Sequence, residues 1–369
     1  LYVLDAKGVD GWGMLQRVDL RHTSLVKDTL ATLKYDRTPA VAKDDAVVPA
    51  LRSGRRSTAI DHVVYISVGT ATYDAMLGDL RDAAGAPHGN GEPSFCTYPE
   101  SVTPNLHALA RSYALADNFY AADASLDAAD QVATAGSAPL YTQLTARVSS
   151  SRAPLQGFGN DPENYGRSGY LFNAMARAGL TFRDYGGLML LSGYDDGLYH
   201  LDVPALAALS GNVDTNYAGW NPRVDDAHRA AEFVSDMQRY VAADRMPAFT
   251  YVWLPTAPGR EADADRAMGT IVDYLSHAPH WSSTAIFIVP EGAAEGTDHV
   301  NLQRSYAVVV SPLARRGYVG RAHLSVAGVV KTEEEILGLP PLTLDDLLAT
   351  DLSDFFTDAP QPEPYQAIH

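Results

Sequence analysis

The sequence has little cysteine, little positive charge and no long apolar run, and each shortage excludes a class of protein. Cys96 is the one cysteine among 369 residues, which excludes an internal disulfide and a cysteine-based zinc site. Lysine and arginine total 28 against 45 acidic residues, and the net charge of -17 argues against nucleic acid or an anionic membrane as the main partner. No apolar run approaches the ~20 residues that span a bilayer, so we expect no transmembrane segment.

The sequence also lacks several motifs that would identify a nucleotide site. It contains no P-loop, no dinucleotide-binding glycine motif and no internal repeat. No signal peptide is recognisable and the chain begins at Leu1 rather than Met, so we expect a mature product or a fragment. A hydrophobic share of 46% and a charged share of 20% are typical of a globular protein with one large α/β domain or two smaller ones.

Apolar runs and amphipathic segments alternate along most of the chain. The apolar runs predict buried strands at residues 60–67, 247–254, 281–289 and 305–312. Apolar residues at helical spacing predict helices at 169–179, 224–241 and 325–337, and Thr103 followed by Pro104 predicts the start of another. This alternation favours an α/β fold with a parallel or mixed sheet and helices on both faces.

Residues 286–304, reading IFIVPEGAAEGTDHVNLQR, are the stretch that points most directly to chemistry. An apolar run ends at Pro290, and a loop of small residues then carries Asp298 and His299. A buried strand that ends in a loop with an acid and an imidazole is where open α/β sheets place their active sites. We therefore take Asp298 and His299 as candidate catalytic residues, with a loop-stabilising pair as the structural alternative.

Several longer motifs carry a family resemblance. Residues 72–80 read TYDAMLGDL, residues 102–120 read VTPNLHALARSYALADNFY, and residues 338–341 read GLPP. Together with Asp298-His299-Val300, they resemble motifs of the bacterial phosphoesterases in the alkaline phosphatase superfamily, over about residues 57–350. The resemblance implies an alkaline-phosphatase-like fold, a central, mostly parallel sheet with helices on both faces.

The same resemblance shows which functional residues of that family are missing. Gly69, Thr70 and Ala71 stand where the family has Glu, Asn and Arg, and a glycine, a hydroxyl and a methyl cannot replace carboxylate ligation of a hard cation. The other positions that differ from the family's ligands or nucleophile are Leu126, Ala129, Asp130, Thr256, Ala257, Pro258, Pro290, Gly292, Asn301, Leu302 and Gln303. The resemblance thus predicts no bound metal and no other cofactor.

Two residues could substitute for what is lost. Ser125 lies one residue before Leu126, which falls on the family's nucleophile position. In a strand, adjacent side chains point to opposite faces, so Ser125 could act only after a register shift, and it would also need a base beside it. Glu291 could serve as a displaced acid. The candidate catalytic set is therefore Asp298, His299, Glu291 and Ser125, and the predicted cleft-lining residues are Gly69, Thr70, Leu126, Asp130, Ala257 and Gln303.

Three functional hypotheses follow from this pattern. The first is a catalytically degenerate phosphoesterase-like protein, a pseudo-phosphatase with a binding, assembly or scaffolding role. The second is a metal-independent hydrolase, lyase or cyclase that acts on a small metabolite in the old cleft, with an acid–imidazole pair as general acid or base. The third is a residual phosphoesterase that keeps a single metal ion.

The sequence suggests three regions. Residues 1–56 form an N-terminal extension or connector, and their first residues, LYVLDAKG, resemble the end of the β-propeller that precedes the phosphoesterase domain in some family members. Residues 57–357 form the α/β domain, and residues 358–369 a proline-rich tail. We expect a protein partner, such as a β-propeller domain or chain, or a small-molecule ligand. Because family members are usually exported, we expect a secreted, periplasmic or cell-surface protein.

Overall fold

The computed structural model describes residues 2–5, 14–17, 46–121, 126–146, 165–166, 168–190, 203–204, 206–219, 221, 223–257 and 259–369. Its strands are β1 (Tyr2–Asp5), β2 (Met14–Arg17), β3 (His62–Val68), β4 (Thr70–Ala71), β5 (Ala114–Tyr120), β6 (Phe182–Tyr185), β7 (Met189–Leu190), β8 (Val203–Pro204), β9 (Phe249–Leu254), β10 (Thr284–Val289), β11 (Gly292–Glu295), β12 (Arg304–Val310), β13 (Val319–Gly320) and β14 (Leu324–Ser325).

The described α-helices surround these strands. They are α1 (Tyr73–Leu77), α2 (Pro104–Ser112), α3 (Leu126–Ala135), α4 (Leu140–Ala146), α5 (Leu171–Ala178), α6 (Asp226–Ala242), α7 (Glu261–His277), α8 (Val326–Leu337) and α9 (Leu344–Leu348). Short 3₁₀ turns occur at Leu51–Ser53, Pro93–Phe95, Ala207–Leu209, Trp281–Ser283 and Ser353–Phe355. In the described part of the chain, no helix is both long enough and apolar enough to cross a bilayer.

Eight strands form the central sheet, in the order β13-β5-β12-β10-β3-β9-β6, with β14 also paired to β5. Strands β10, β3, β9 and β6 run parallel to one another, whereas β12 is antiparallel to both β10 and β5. The mostly parallel α/β sheet predicted from the sequence is therefore confirmed.

The middle strands form where the sequence has β-branched and aromatic runs. Strand β3 reads HVVYISV and β10 reads TAIFIV, and every residue of β10 is buried. Parallel strands with helices on both faces bury both sets of side chains, so they appear in the sequence as continuous apolar runs. The central strands thus form a rigid platform whose carboxyl ends lie at one edge of the sheet.

Helices α6 and α7 pack against each other. The face of α6 predicted from apolar spacing is present, with Phe233 and Met237 fully buried.

Helix α2 begins at Pro104 as predicted, but Thr103 makes no capping hydrogen bond. The carboxylate of Asp265 on α7 instead accepts the backbone N–H groups of Asn105 at 3.0 Å and Leu106 at 2.7 Å. A buried acid from a neighbouring helix therefore caps α2.

One local prediction is wrong. The prediction for Ser125 assumed that the residues around Leu126 form a strand. The structure instead has a helix there, because α3 begins at Leu126 and runs to Ala135. Alanine has the highest helix propensity, and the stretch LDAADQVATA contains four of them, which explains the helix. The side chain of Leu126 and the whole of Ser125 lie outside the described residues, so the suggested role of Ser125 stays a prediction.

Helix α8 buries three consecutive acids. Glu333 is fully buried, and neither of its carboxyl oxygens has a hydrogen-bond partner among the described residues. Burial raises the pKa of Glu333 well above its ordinary value. Burial, followed by the nearby Asp346 carboxylate, raises the pKa of Glu334 to about 10. Burial and the Asp351 carboxylate raise the pKa of Glu335 to about 8. These side chains therefore keep their protons at neutral pH in the folded protein.

These acids predict that the protein loses stability as pH rises. Each has a folded-state pKa above the unfolded value of about 4.3, so the folded state holds protons that the unfolded state has released. Their contribution is complete at pH values below the unfolded pKa and is lost toward the folded pKa. We expect the free energy of unfolding, measured by urea titration at pH 6 to 9, to fall by up to about 1.4 kcal/mol per pH unit for each such group.

The control is a pair of glutamine variants. Glu334→Gln copies the protonated carboxyl and should reduce the slope by the share of that one group, up to about 1.4 kcal/mol per pH unit. Glu363→Gln changes an exposed side chain and should leave the slope as it is. Stability that is constant or rises between pH 6 and 9 in the unmodified protein would contradict the protonated state of these buried acids.

Candidate functional site

The loop after β11 places Asp298 against α1. The Asp298 side chain is buried, and its Oδ1 accepts the backbone N–H groups of Val300 at 2.9 Å and Asn301 at 3.0 Å. Its Oδ2 accepts the backbone N–H of Asp74 at 3.2 Å. The carboxylate of Asp298 therefore holds its own loop in a turn and attaches that loop to the start of α1.

The guanidinium of Arg304, at the start of β12, lies between Asp298 and Asp74. All three side chains are fully buried in this contact. The Nε of Arg304 donates to Asp298 Oδ1 at 2.9 Å, and Nη2 donates to Asp298 Oδ2 at 2.9 Å and to Asp74 Oδ1 at 3.0 Å. Its Nη1 donates to the carbonyl oxygens of Asn90 at 3.0 Å and Asp117 at 2.8 Å. The five N–H groups of an arginine side chain thus all have acceptors.

His299 completes the cluster at the protein surface. Its Nδ1 lies 2.6 Å from Asp74 Oδ2, and its backbone N–H donates to the same oxygen at 2.7 Å. The His299 side chain is 31% exposed, whereas that of Asp74 is fully buried. A carboxylate on Nδ1 fixes the orientation and tautomer of an imidazole and leaves Nε2 as the proton acceptor. The arrangement could therefore act as a carboxylate–imidazole dyad.

The family that the sequence motifs resemble binds divalent metal ions, so the question is whether this cluster could hold one. Asp74, Asp298 and His299 offer ligand atoms that all lie within 4.8 Å of one another, and no other such group occurs in the described ranges. The guanidinium of Arg304, however, already bonds both carboxylates and supplies the positive charge. A divalent ion here would face a buried, permanently charged arginine and would have to displace it. The residues therefore do not fit a metal ion.

Glu291 lies in a separate, internal cluster at the ends of β9 and β10. The indole N–H of Trp253 donates to Glu291 Oε1, and the Glu291 backbone N–H donates to the carbonyl of Gly69 at 2.9 Å. Burial, followed by the charge of Asp130, raises the pKa of Glu291 well above its ordinary value. Asp130 in turn accepts the hydroxyl of Tyr251 at 2.9 Å. In the described part of the chain, Glu291 shares no hydrogen-bond partner with Asp298 or His299.

A cleft opens beside the turn that follows β3. It encloses about 450 Å³ together with its open mouth. Gly69 and Thr70, both predicted to line a cleft, lie in it, and Gly69 has a φ of +56° that favours glycine. The remaining lining residues are Val68, Ala71, Met76, Leu106, Thr256, Glu261, Ala264, Asp265, Met268, Glu295 and Tyr306.

The other predicted cleft residues lie elsewhere. Asp130 belongs to the internal cluster with Glu291, Ala257 is half-buried outside the cleft lining, and Gln303 is exposed. Sequence reasoning missed Asp74 and Arg304, which hold the cluster together. Asp74 lies inside the TYDAMLGDL motif, in the first turn of α1, and an acid in that motif was the available signal.

Comparison with known proteins supports the fold. No protein-family model and no curated protein matches the sequence. An alkaline phosphatase superfamily protein from Vibrio parahaemolyticus aligns over 90% of this chain and 79% of its own, with 15% identity and a TM-score of 0.50. The lipoteichoic acid synthase of Listeria monocytogenes aligns over 79% of this chain and 76% of its own, with 9% identity and a TM-score of 0.50.

These likenesses show that the chain has the fold of the alkaline phosphatase superfamily, as its sequence motifs led us to expect. At such low identity they establish the fold alone, so the role of the cleft and of the arginine cluster has to be argued from this chain's own residues.

The arginine cluster predicts a large difference between two substitutions. Arg304→Met leaves two buried carboxylates without their cation and should lower the free energy of unfolding by about 3–5 kcal/mol. His299→Ala should cost only about 1 kcal/mol, because the backbone N–H of residue 299 still donates to Asp74. Urea unfolding at pH 7 measures both, with Arg177→Met on the exposed face of α5 as control. Equal losses for Arg304→Met and the control would contradict this role of Arg304.

Proposed function

We propose that this protein uses the phosphoesterase fold for binding rather than for metal-dependent ester hydrolysis, and that the cleft beside β3 is its binding site. The observation that carries the proposal is the guanidinium of Arg304, which bonds the two carboxylates that could otherwise have held a metal ion. An arginine supplies charge and hydrogen bonds, but it offers no open coordination position and no activated water.

The residues at the strand ends support the same proposal. Metal ions that catalyse hydrolysis require carboxylate or imidazole ligands. The residues at these strand ends offer neither: Gly69 has no side chain, and Thr70 after β3 and Thr256 after β9 each present a hydroxyl. Apolar side chains such as Met76, Leu106 and Met268 form much of the cleft wall. A concave, mostly apolar cleft with a few polar groups is typical of a site for a small organic molecule.

The first test is hydrolysis of phosphate esters. The protein, purified and supplied in turn with Zn²⁺, Mn²⁺ or Mg²⁺, should hydrolyse neither p-nitrophenyl phosphate nor bis(p-nitrophenyl) phosphate above the protein-free rate. Elemental analysis of the dialysed protein should find no stoichiometric metal ion. Turnover that chelator abolishes and added metal restores would contradict the proposal and would favour a residual single-metal phosphoesterase.

A metal-independent enzyme is the second candidate, and the pairing of His299 with Asp74 is the observation that favours it. The imidazole is partly exposed and is oriented by a buried carboxylate at 2.6 Å, as in general-base sites. Two observations count against a metal-independent enzyme. Arg304 bonds the same aspartate, and among the described residues no nucleophile is a hydrogen-bond partner of His299.

Hydrolysis of p-nitrophenyl acetate, an activated ester that responds to reactive imidazoles, separates the two candidates. The binding proposal expects equal, slow hydrolysis by the unmodified protein and by His299→Ala. A rate that falls at least about tenfold in His299→Ala, with the melting temperature unchanged, would favour the enzyme.

A further inference from the structure

The cleft beside β3 is acidic. One face of α7 contributes Glu261, Ala264, Asp265 and Met268, at the i, i+3, i+4, i+7 spacing that places side chains together on a helix. Strand β11 adds Glu295. No lysine, arginine or histidine is among the described residues that line the cleft. The cleft therefore attracts positive charge and repels phosphate and carboxylate groups.

Two of these acids converge on one hydroxyl at the cleft. Tyr98 donates to Glu295 Oε2 at 3.2 Å. Burial, then the charges of Glu261 and Glu295, raises the pKa of Tyr98. One hydroxyl carries a single hydrogen and can donate to only one carboxylate at a time, so the pair of glutamates keeps a strong capacity to accept hydrogen bonds.

The three acids of the cleft do not form a metal site. In the part of the chain that the structure describes, Asp74, Asp298 and His299 are the only set of three or more such residues whose ligand atoms all lie within 4.8 Å of one another. The oxygens of Glu261, Asp265 and Glu295 are therefore too dispersed to coordinate one small ion. Asp265 is in addition committed to capping α2. Dispersed carboxylates suit a larger organic cation, whose charge needs no close coordination shell.

The rest of the cleft suits an apolar body with a polar group. Met76, Leu106 and Met268 provide flexible apolar walls that adapt to the shape of a ligand. Tyr306 also lines the cleft and is only 2% exposed, yet no described residue exchanges a hydrogen bond with its hydroxyl. This hydroxyl is not among the fully buried polar atoms that lack a partner, so it reaches the cleft, where a polar group of a ligand or a water can bond it.

We propose that this cleft binds a small organic cation, an ammonium group carried on an apolar body. The ammonium lies between Glu261 and Glu295, and the apolar body packs against Met76, Leu106 and Met268. The proposal rests on the proposed binding function, since it assigns a ligand class to the same cleft. It also agrees with the loss of phosphoester chemistry, because three acids without a basic residue would repel a phosphate substrate.

Calorimetric titration of the full chain with three matched probes tests the charge preference. The probes are the 2-phenylethylammonium ion, neutral 2-phenylethanol and the 3-phenylpropionate anion, which share an apolar body and differ in charge. We expect the ammonium to bind at least about tenfold more tightly than the alcohol, and the anion to bind least. Equal affinities, or no binding of the ammonium up to about 10 mM, would overturn the proposal.

Variants then locate the site. In Glu261→Gln combined with Glu295→Gln, the ammonium should lose about tenfold in affinity while the alcohol is unaffected. Met268→Trp should fill the cleft and weaken both probes, and Glu363→Gln on the exposed tail should change neither. Thermal melts identify any variant that does not fold. Ammonium binding that survives the double glutamine variant and Met268→Trp, both folded, would place the site elsewhere and refute the proposal.

The two proposals fail separately. Metal-dependent phosphate turnover would contradict the proposed function whether or not the ammonium binds. Absence of ammonium binding would remove the ligand class and leave the argument from Arg304 intact.

Discussion

A buried guanidinium has to be fully paired, and this requirement at Arg304 organises the edge of the sheet. Its donors bring together α1, the middle of β5, the loop at Asn90 and the loop that carries Asp298. Two further contacts restrict the conformation of the loop that carries Asp298. Thr72 on the α1 side donates to the carbonyl of Thr297 at 3.0 Å, and a Cβ on Gly296 would lie 2.3 Å from Ala75. The ion pairs therefore fix the segments that surround the cleft.

The same pairing places a positive charge beside the acids at this edge of the sheet. Acids that converge at strand ends need a compensating positive charge, and in a hydrolytic site that charge comes from divalent ions, which also activate water. Here a side chain of the chain itself provides positive charge, because the Arg304 guanidinium bonds the buried side chains of both Asp74 and Asp298. A guanidinium cannot perform the chemistry of a metal ion, because it is neither a Lewis acid nor a source of hydroxide.

Sequence reasoning succeeded where burial leaves a continuous pattern. The run at residues 60–67 matches β3 at His62–Val68, and residues 224–241 match α6 at Asp226–Ala242, because apolar side chains repeat at the period of each element. It failed where the outcome depends on distant partners. Asp74 and Arg304 are 230 residues apart, and no local pattern shows that they meet. The stretch Glu333–Glu335 resembles a solvated face, yet the packing of α8 buries all three acids.

Buried acids also change what net charge says about partners. The formal charge of -17 counts every carboxyl as ionised, but burial keeps protons on Glu291, Glu333 and Glu334 in the folded protein at neutral pH. Arg304 neutralises two further acids inside the protein. Recognition therefore depends on which carboxylates line a cleft rather than on the total. In this chain Glu261 and Glu295 gain importance because they line an open cleft that has no basic residue among its described walls.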